Sequence, residues 1–303
     1  ERELAEVGGL WRRALAGAGQ ALLVSGEPGI GKTRLVRELS ALAEVSGAVV
    51  LRGECYAEGG SPNAPIAQIV EAAYTAGLLG AASGIALPEP LLADLLSLAP
   101  ELAEGSAARP PLPDARAQQQ RQFEAIAGFL HRLTATRPAL VVLEDAHWAD
   151  SSTLSALRHI ARRAQNARLL IVVTYRETEL DQACCLPDFL HDLQRERLAT
   201  RVKLNRLSRD QVRSLLAVMF GLAEPEINAE LLDGLYRETE GNPFFLEEVC
   251  KALVEDGQIY FDDGAWQRAK AQALQIPQSV RITIQVRLGK LPEPAQEVLR
   301  LAA

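Results

Sequence analysis

The stretch Gly26-Glu27-Pro28-Gly29-Ile30-Gly31-Lys32-Thr33 constrains this chain more than any other, because it fits the phosphate-binding pattern G-x-x-x-x-G-K-[ST] at every required position. Its flanks supply the elements such a loop needs. Ala21 to Ser25 is a short apolar run that reads as a buried strand, and Leu35, Val36, Leu39 and Leu42 recur at helical spacing just beyond the loop. Glycines let the backbone wrap closely around an anion with its N–H groups turned inward, and the positive end of the following helix dipole then faces the charge. In such a loop Lys32 reaches the β- and γ-phosphates and the Thr33 hydroxyl reaches Mg²⁺. A glycine-rich turn of no function is the competing reading; a strand before the loop and a helix after it weigh against that.

Further along, the apolar run Leu140 to Leu143 ends in Glu144-Asp145. It reads as a strand that delivers carboxylates at its C-terminal end, where open α/β sheets place their ligands. Two acids there can divide the work, one holding Mg²⁺ and one orienting the attacking water; otherwise they cap a turn. Arg176 follows another apolar run, Leu169 to Thr174. If that strand lies between the loop strand and the Glu144 strand, Arg176 stands beside a γ-phosphate and distinguishes ATP from ADP; the competing reading is a surface ion pair. Gly241-Asn242-Pro243-Phe244-Phe245 reads first as a turn, glycine ending one helix and proline beginning the next.

Up to about residue 206, apolar strands alternate with helices, which predicts an α/β domain with a parallel sheet buried on both faces. From Ser208 the pattern is helical, apart from a hairpin over Gln258 to Trp266 with Asp263-Gly264 as its turn. Residues 4 to 18 read as an amphipathic helix ended by Gly17 and Gly19, and Ser151 or Asp150 can cap a helix from about 152 to 164. Pro187 reads as part of a loop ahead of a helix near Phe189 to Arg195. Residues 80 to 117 are rich in proline and are expected to be irregular, apart from a short helix near Leu91 to Leu98.

At 303 residues with a net charge of -7 and a pI of about 5.3, the chain has room for two or three domains and lacks the charge for a broad nucleic-acid-binding face. No apolar run approaches the roughly 18 residues of a membrane span. Cys55, Cys184, Cys185 and Cys250 show no C-x-x-C pair, and neighbouring Cys184 and Cys185 are poor disulfide partners, so a reduced, cytoplasmic chain is expected. With no initiator Met and an end inside an apolar run, it is expected to be a piece of a longer protein.

Four segments occur in order: GEPGIGKTRL, LVVLEDAHWAD (Leu140 to Asp150), TYRETEL (Thr174 to Leu180) and TEGNPFFLEEV (Thr239 to Val249). Together they resemble the STAND-class ATPases, a branch of the AAA-like P-loop proteins, and most closely the ATPase module of large LuxR-type transcriptional regulators and multidomain nucleotide cyclases. The resemblance implies a sheet of order 5-1-4-3-2 in residues 1–206, a helical lid in 207–291 and the start of a truncated winged helix in 292–303. It implies ATP/ADP and Mg²⁺ as ligands, held by Gly26, Glu27, Pro28, Gly29, Ile30, Gly31, Lys32, Thr33 and Arg34, with Pro243 against the adenine and Thr33, Glu144 and Asp145 toward the metal. Glu144, Asp145 and Arg176 would carry catalysis. The module would act as a slowly hydrolysing switch in signalling or transcription control, closed with ADP and self-associating with ATP, under an unknown inducer. Glu144 departs from the family's usual Asp, which leaves its division of labour with Asp145 open. The alternatives are a loader-like ATPase that handles nucleic acid and an inactive nucleotide-binding scaffold. His147 and Trp148 match the family without a mechanism: the first is expected to be a satisfied structural histidine, the second a packing residue.

Overall fold

Among the described residues, five parallel strands run through the first part of the chain. They are β1 (Gln20–Ser25), β2 (Val49–Glu54), β3 (Ala139–Glu144), β4 (Leu169–Tyr175) and β5 (Ala199–Lys203). Three of them, β1, β3 and β4, are built from the β-branched and leucine-rich runs that a two-faced buried sheet requires. The computed structural model describes residues 2–57, 61–80, 83–102, 112–183, 185–257, 259–262 and 265–268. The strand order is β2-β3-β4-β1-β5, the order implied by the resemblance. Thus β4 pairs with β1 on one side and with β3 on the other.

The period-2 alternation of the strands sorts their side chains onto two layers. Leu22, Val24, Leu140, Val142, Leu170, Val172 and Val202 meet α1 (Arg2–Leu15) and α2 (Lys32–Val45) through Val7, Leu10, Trp11, Val36 and Leu39. On the opposite face Leu23, Leu51, Val141, Leu143, Ile171, Val173 and Tyr175 meet α3 (Ala64–Thr75), α4 (Glu89–Leu96), α5 (Ala115–Thr136), α6 (Ser151–Ala164) and α7 (Leu186–Arg195). Burying each such leucine or phenylalanine contributes about 1.5–3 kcal/mol. Helices therefore cover both faces and leave the C-terminal strand ends for a site.

Local differences from the expected spans have simple causes. The first helix stops at Leu15 rather than near residue 18, because Gly17 turns the backbone to φ +88°. Pro187 does not sit in a loop; it lies in the first turn of α7, where its missing N–H has no helical partner to lose. Of the two candidate caps for α6, the structure uses Asp150, whose Oδ1 accepts from Ser152 N and Thr153 N at 2.8 and 3.0 Å.

The chain divides into two compact units. The first comprises 1–28 and 32–204, and the second comprises 29–31 and 205–303. Among the described residues of the second are three α-helices: α8 (Arg209–Phe220), α9 (Ala229–Thr239) and α10 (Pro243–Glu255). They pack through Val212, Leu216, Leu232, Leu235, Leu246, Val249 and Leu253. A capping box at Ser208 and Gln211 starts α8, and Asn228 caps α9. Gly241, at φ +76°, closes against Leu207 so tightly that a Cβ there would lie 2.1 Å from the Leu207 carbonyl oxygen. Strands β6 (Ile259–Asp262) and β7 (Ala265–Arg268) pair antiparallel, as the expected hairpin requires. The Asp263-Gly264 turn, Cys184 and everything expected after 268, including the winged-helix start, lie outside the described residues.

Candidate nucleotide site

The site is assembled at the C-terminal ends of β1, β3 and β4. The loop after β1 needs backbone angles that side chains resist: Gly29 and Gly31 stand at φ +76° and +105°, and around Gly31 nothing would meet an added Cβ within 4 Å. Lys32 opens α2 with its side chain folded back into the loop, Nζ donating to the Gly26 and Glu27 carbonyls at 3.0 Å each. Its neighbour Thr33 donates through Oγ1 to Glu144 Oε2 at 3.1 Å, so the helix start reaches the end of a strand two places away in the sheet. The other Glu144 oxygen lies 3.5 Å from Arg52 Nη1 on β2. Arg34 points elsewhere: its exposed guanidinium pairs with Glu38 at 2.7 Å along the helix. Ile30 is buried, so only its backbone can face a ligand.

Asp145 is in the left-handed region at φ 54°, where an Asp is tolerated better than most residues. Its N–H no longer has a ladder partner and donates instead to Thr174 Oγ1 on β4 at 3.0 Å. A short 3₁₀ turn, Ala146–Trp148, then buries His147. His147 Nε2 lies 3.2 Å from Glu179 Oε2 and Nδ1 lies 3.9 Å from Asp145 Oδ1, yet neither is aligned as a hydrogen bond. Burial lowers the His147 pKa against the opposing pull of Glu179 and Asp145, and the Arg176 and Lys32 charges act in the same direction as burial. Trp148 is not a core residue. It remains 36% exposed, with its ring 4.4 Å from that of His147 and the Arg176 guanidinium carbon 4.9 Å above its centroid.

Arg176 follows β4, between the loop strand and the acidic strand as expected. Its Nη1 donates to Glu179 Oε1 at 2.6 Å. The next residue, Glu177, faces the other way: Ser25 Oγ donates to it at 3.1 Å, Lys203 Nζ lies 2.6 Å from it, and Arg201 also pairs with it. Burial acts to raise the Glu177 pKa, and the Lys203 and Ser25 hydrogen bonds with the Arg201 charge outweigh it and hold it low. Pro243 belongs to the second unit, at the first turn of α10 behind the Asn242 cap. That unit also contains Gly29, whose carbonyl accepts from Phe244 N at 3.3 Å.

Three residues here escape sequence reasoning. Glu179 is signalled only by its i+3 spacing from Arg176, and Thr174 only by its strand-end position. Arg52 needs the β2–β3 pairing before it means anything.

The donor set fits a magnesium nucleotide. A hydroxyl and a carboxylate converge as hard oxygens, and among the described residues no group of three His, Cys, Asp or Glu is placed to cage an ion alone. Mg²⁺ typically binds in that way, through one or two protein oxygens with phosphate and water completing the shell. Among the described residues no helix is long and apolar enough to cross a membrane.

The chain is similar to several known proteins. A Walker-type ATPase of Pyrococcus abyssi superposes with a TM-score of 0.58 at 16% identity, over 99% of this chain and 75% of its own. A STAND protein with a tetratricopeptide repeat sensor from Pyrococcus horikoshii gives a TM-score of 0.46 at 17% identity, over 81% of this chain and 28% of its own. An uncharacterized protein of Rhizobium meliloti (strain 1021) is 30% identical over 266 residues, which is 83% of this chain but only 24% of that protein. The chain thus spans about a quarter of the length of the curated relative it matches. Residues 1–173 match the family described as AAA ATPase domain, and the chain, with its glycine loop, central β4 and strand-end acids, belongs to that family.

Proposed function

We propose that this chain is the ATP-binding switch module of a larger signalling or transcription-regulating protein, hydrolysing slowly and reporting its nucleotide state through conformation and self-association. The observation that carries the reading is the 3.1 Å contact of Thr33 Oγ1 with Glu144, beside a lysine already folded into the glycine loop. In this reading the amides of Gly26 to Gly31 cradle the phosphates, and Lys32 exchanges its carbonyl partners for phosphate oxygens. Glu27, Pro28 and, through their backbone, Ile30 and Arg34 complete the nucleotide's surroundings, and Pro243 lies against the adenine. Thr33 and Glu144 hold Mg²⁺, whose charge, when bound, offsets the charge that builds on the phosphate oxygens. Asp145, fixed by Thr174, orients the attacking water, and Arg176 reads the γ-phosphate. The division into an ATPase part to 206, a lid to 291 and a further domain beyond belongs to this proposal, as does a cytoplasmic setting.

A fluorescent-nucleotide titration tests it. Lys32→Ala is expected to lose nucleotide binding by about 100-fold or more, since a charge-assisted phosphate contact and its preorganised seat both go. Unchanged affinity would overturn the assignment. Phosphate release measured with and without DNA separates the switch from a loader-like ATPase, and tight binding with no turnover would mark an inactive scaffold.

A further inference from the structure

The segments Asp145-Ala146-His147-Trp148 and Arg176 to Glu179 converge on one guanidinium. Arg176 is a quarter exposed and makes a charge-assisted bond to Glu179 Oε1 at 2.6 Å. Its central carbon lies over the Trp148 ring, 4.9 Å from the centroid, within the range of a cation–π contact. The second Glu179 oxygen lies 3.2 Å from buried His147, whose own ring backs Trp148 at 4.4 Å. Glu179 follows Arg176 by three residues on a 3₁₀ turn, where side chains at that spacing eclipse. Carboxylate and indole thus form a two-sided seat, backed by the imidazole, for a residue at the edge of the phosphate loop.

We propose that this is a resting seat, in which Glu179 competes with the γ-phosphate for Arg176 and Trp148 and His147 shape the alternative position. Glu179 is then a positioning residue that sets how much Arg176 is available. The same N–H groups cannot serve a carboxylate and a phosphate at once. ATP, with a γ-phosphate to offer, displaces Glu179; ADP, which lacks it, leaves the seat filled. Occupancy of the seat lowers the apparent affinity for ATP by the fraction of Arg176 that is free, while affinity for ADP is unaffected. The seat also gives His147 and Trp148 a function: they hold the off position of the reader. This inference rests on Arg176 reading the γ-phosphate.

Affinities for a non-hydrolysable ATP analogue and for ADP, measured on the wild type, Glu179→Gln, Arg176→Ala and the double variant, test both levels separately. Glu179→Gln is expected to tighten the analogue by about 3- to 10-fold and to change ADP by less than about twofold, as expected when a mostly occupied seat is emptied. Arg176→Ala is expected to weaken the analogue more than ADP, and adding Glu179→Gln to it should change nothing. Equal losses of both nucleotides in Arg176→Ala would remove the reader, and with it the proposed site role. A normal Arg176→Ala result with no gain in Glu179→Gln would overturn the seat alone. A gain that persists without Arg176, or that extends equally to ADP, would mean a general charge effect and also overturn it. If Glu179→Gln fails to fold, Trp148→Leu at its partly exposed position should tighten the analogue in the same direction by a smaller factor; no change there would overturn the seat.

Discussion

Replacing Thr174 with valine removes one oxygen from the site and almost no volume. Thr174 is 2% exposed, and its hydroxyl is the acceptor for the Asp145 N–H at 3.0 Å. The ladder between β3 and β4 ends one residue pair before it, at Leu143 and Val173, so no backbone carbonyl of β4 takes over. An amide left without an acceptor costs about 1–3 kcal/mol. The left-handed backbone at Asp145, φ 54°, already stores about 1–2 kcal/mol in the wild type, so its relaxation in the variant offsets part of that cost and adds nothing to it. A net loss of about 2 kcal/mol is expected, equivalent to a fall in Tm of roughly 4–8 °C for a domain of this size. Thr174→Ser keeps the acceptor, loses one methyl and should cost about 1 kcal/mol or less. Urea unfolding followed by tryptophan fluorescence measures both. Under the proposed role of Asp145 in orienting the attacking water, phosphate release should fall by about tenfold or more in Thr174→Val, because a displacement of about an ångström costs rate on that scale. An unchanged midpoint for the valine variant, or equal losses for serine and valine, would refute the reasoning.

Two further outcomes are expected. Gly241→Ala should destabilise the helical unit by about 3 kcal/mol, since φ +76° opposes an L side chain and the new Cβ would sit 2.1 Å from the Leu207 carbonyl oxygen; hydrogen exchange over 205–257 reads this, and protection equal to wild type would refute it. Glu196 is held by Arg162 hydrogen bonds at 2.7 and 2.8 Å and by Arg158, which pull its pKa from 4.5 down to about 2. Its contribution is therefore complete above pH 4.5 and lost as pH falls toward about 2, so Glu196→Gln should flatten the acid limb of stability in that window; an unaltered limb, measured by urea midpoints, would count against it.

Much of the fold was legible because its signals are local. Apolar runs of five or six residues announce β1, β3 and β4. The polar-apolar spacing of Leu35, Val36, Leu39 and Leu42 places α2. Proline was the main source of error: Pro187 reads as a loop residue and is a first-turn residue, since both settings need only its fixed φ. The surroundings of His147 and Trp148 were hidden for a different reason. A histidine that is buried but unaligned and a tryptophan that is partly exposed beneath a guanidinium depend on what two separate turns bring to them, and residue type carries none of that.

By itself, the sequence determined that a phosphate loop must form between a strand and a helix, because Gly29, Gly31, Lys32 and Thr33 have local requirements that few other conformations meet. It also determined that acids and an arginine would stand at strand ends. Tertiary structure alone decided who meets whom. The order β2-β3-β4-β1-β5 brings Thr174 under Asp145 and sets Arg176 between two other strands, and the helix start carries Thr33 across to Glu144. Pairing between strands distant in sequence is set by burying two apolar faces at once, a property of the whole sheet rather than of any one run. For the same reason Arg176 is found in a seat made by Glu179 and Trp148, an arrangement that exists only once β3 and β4 lie side by side.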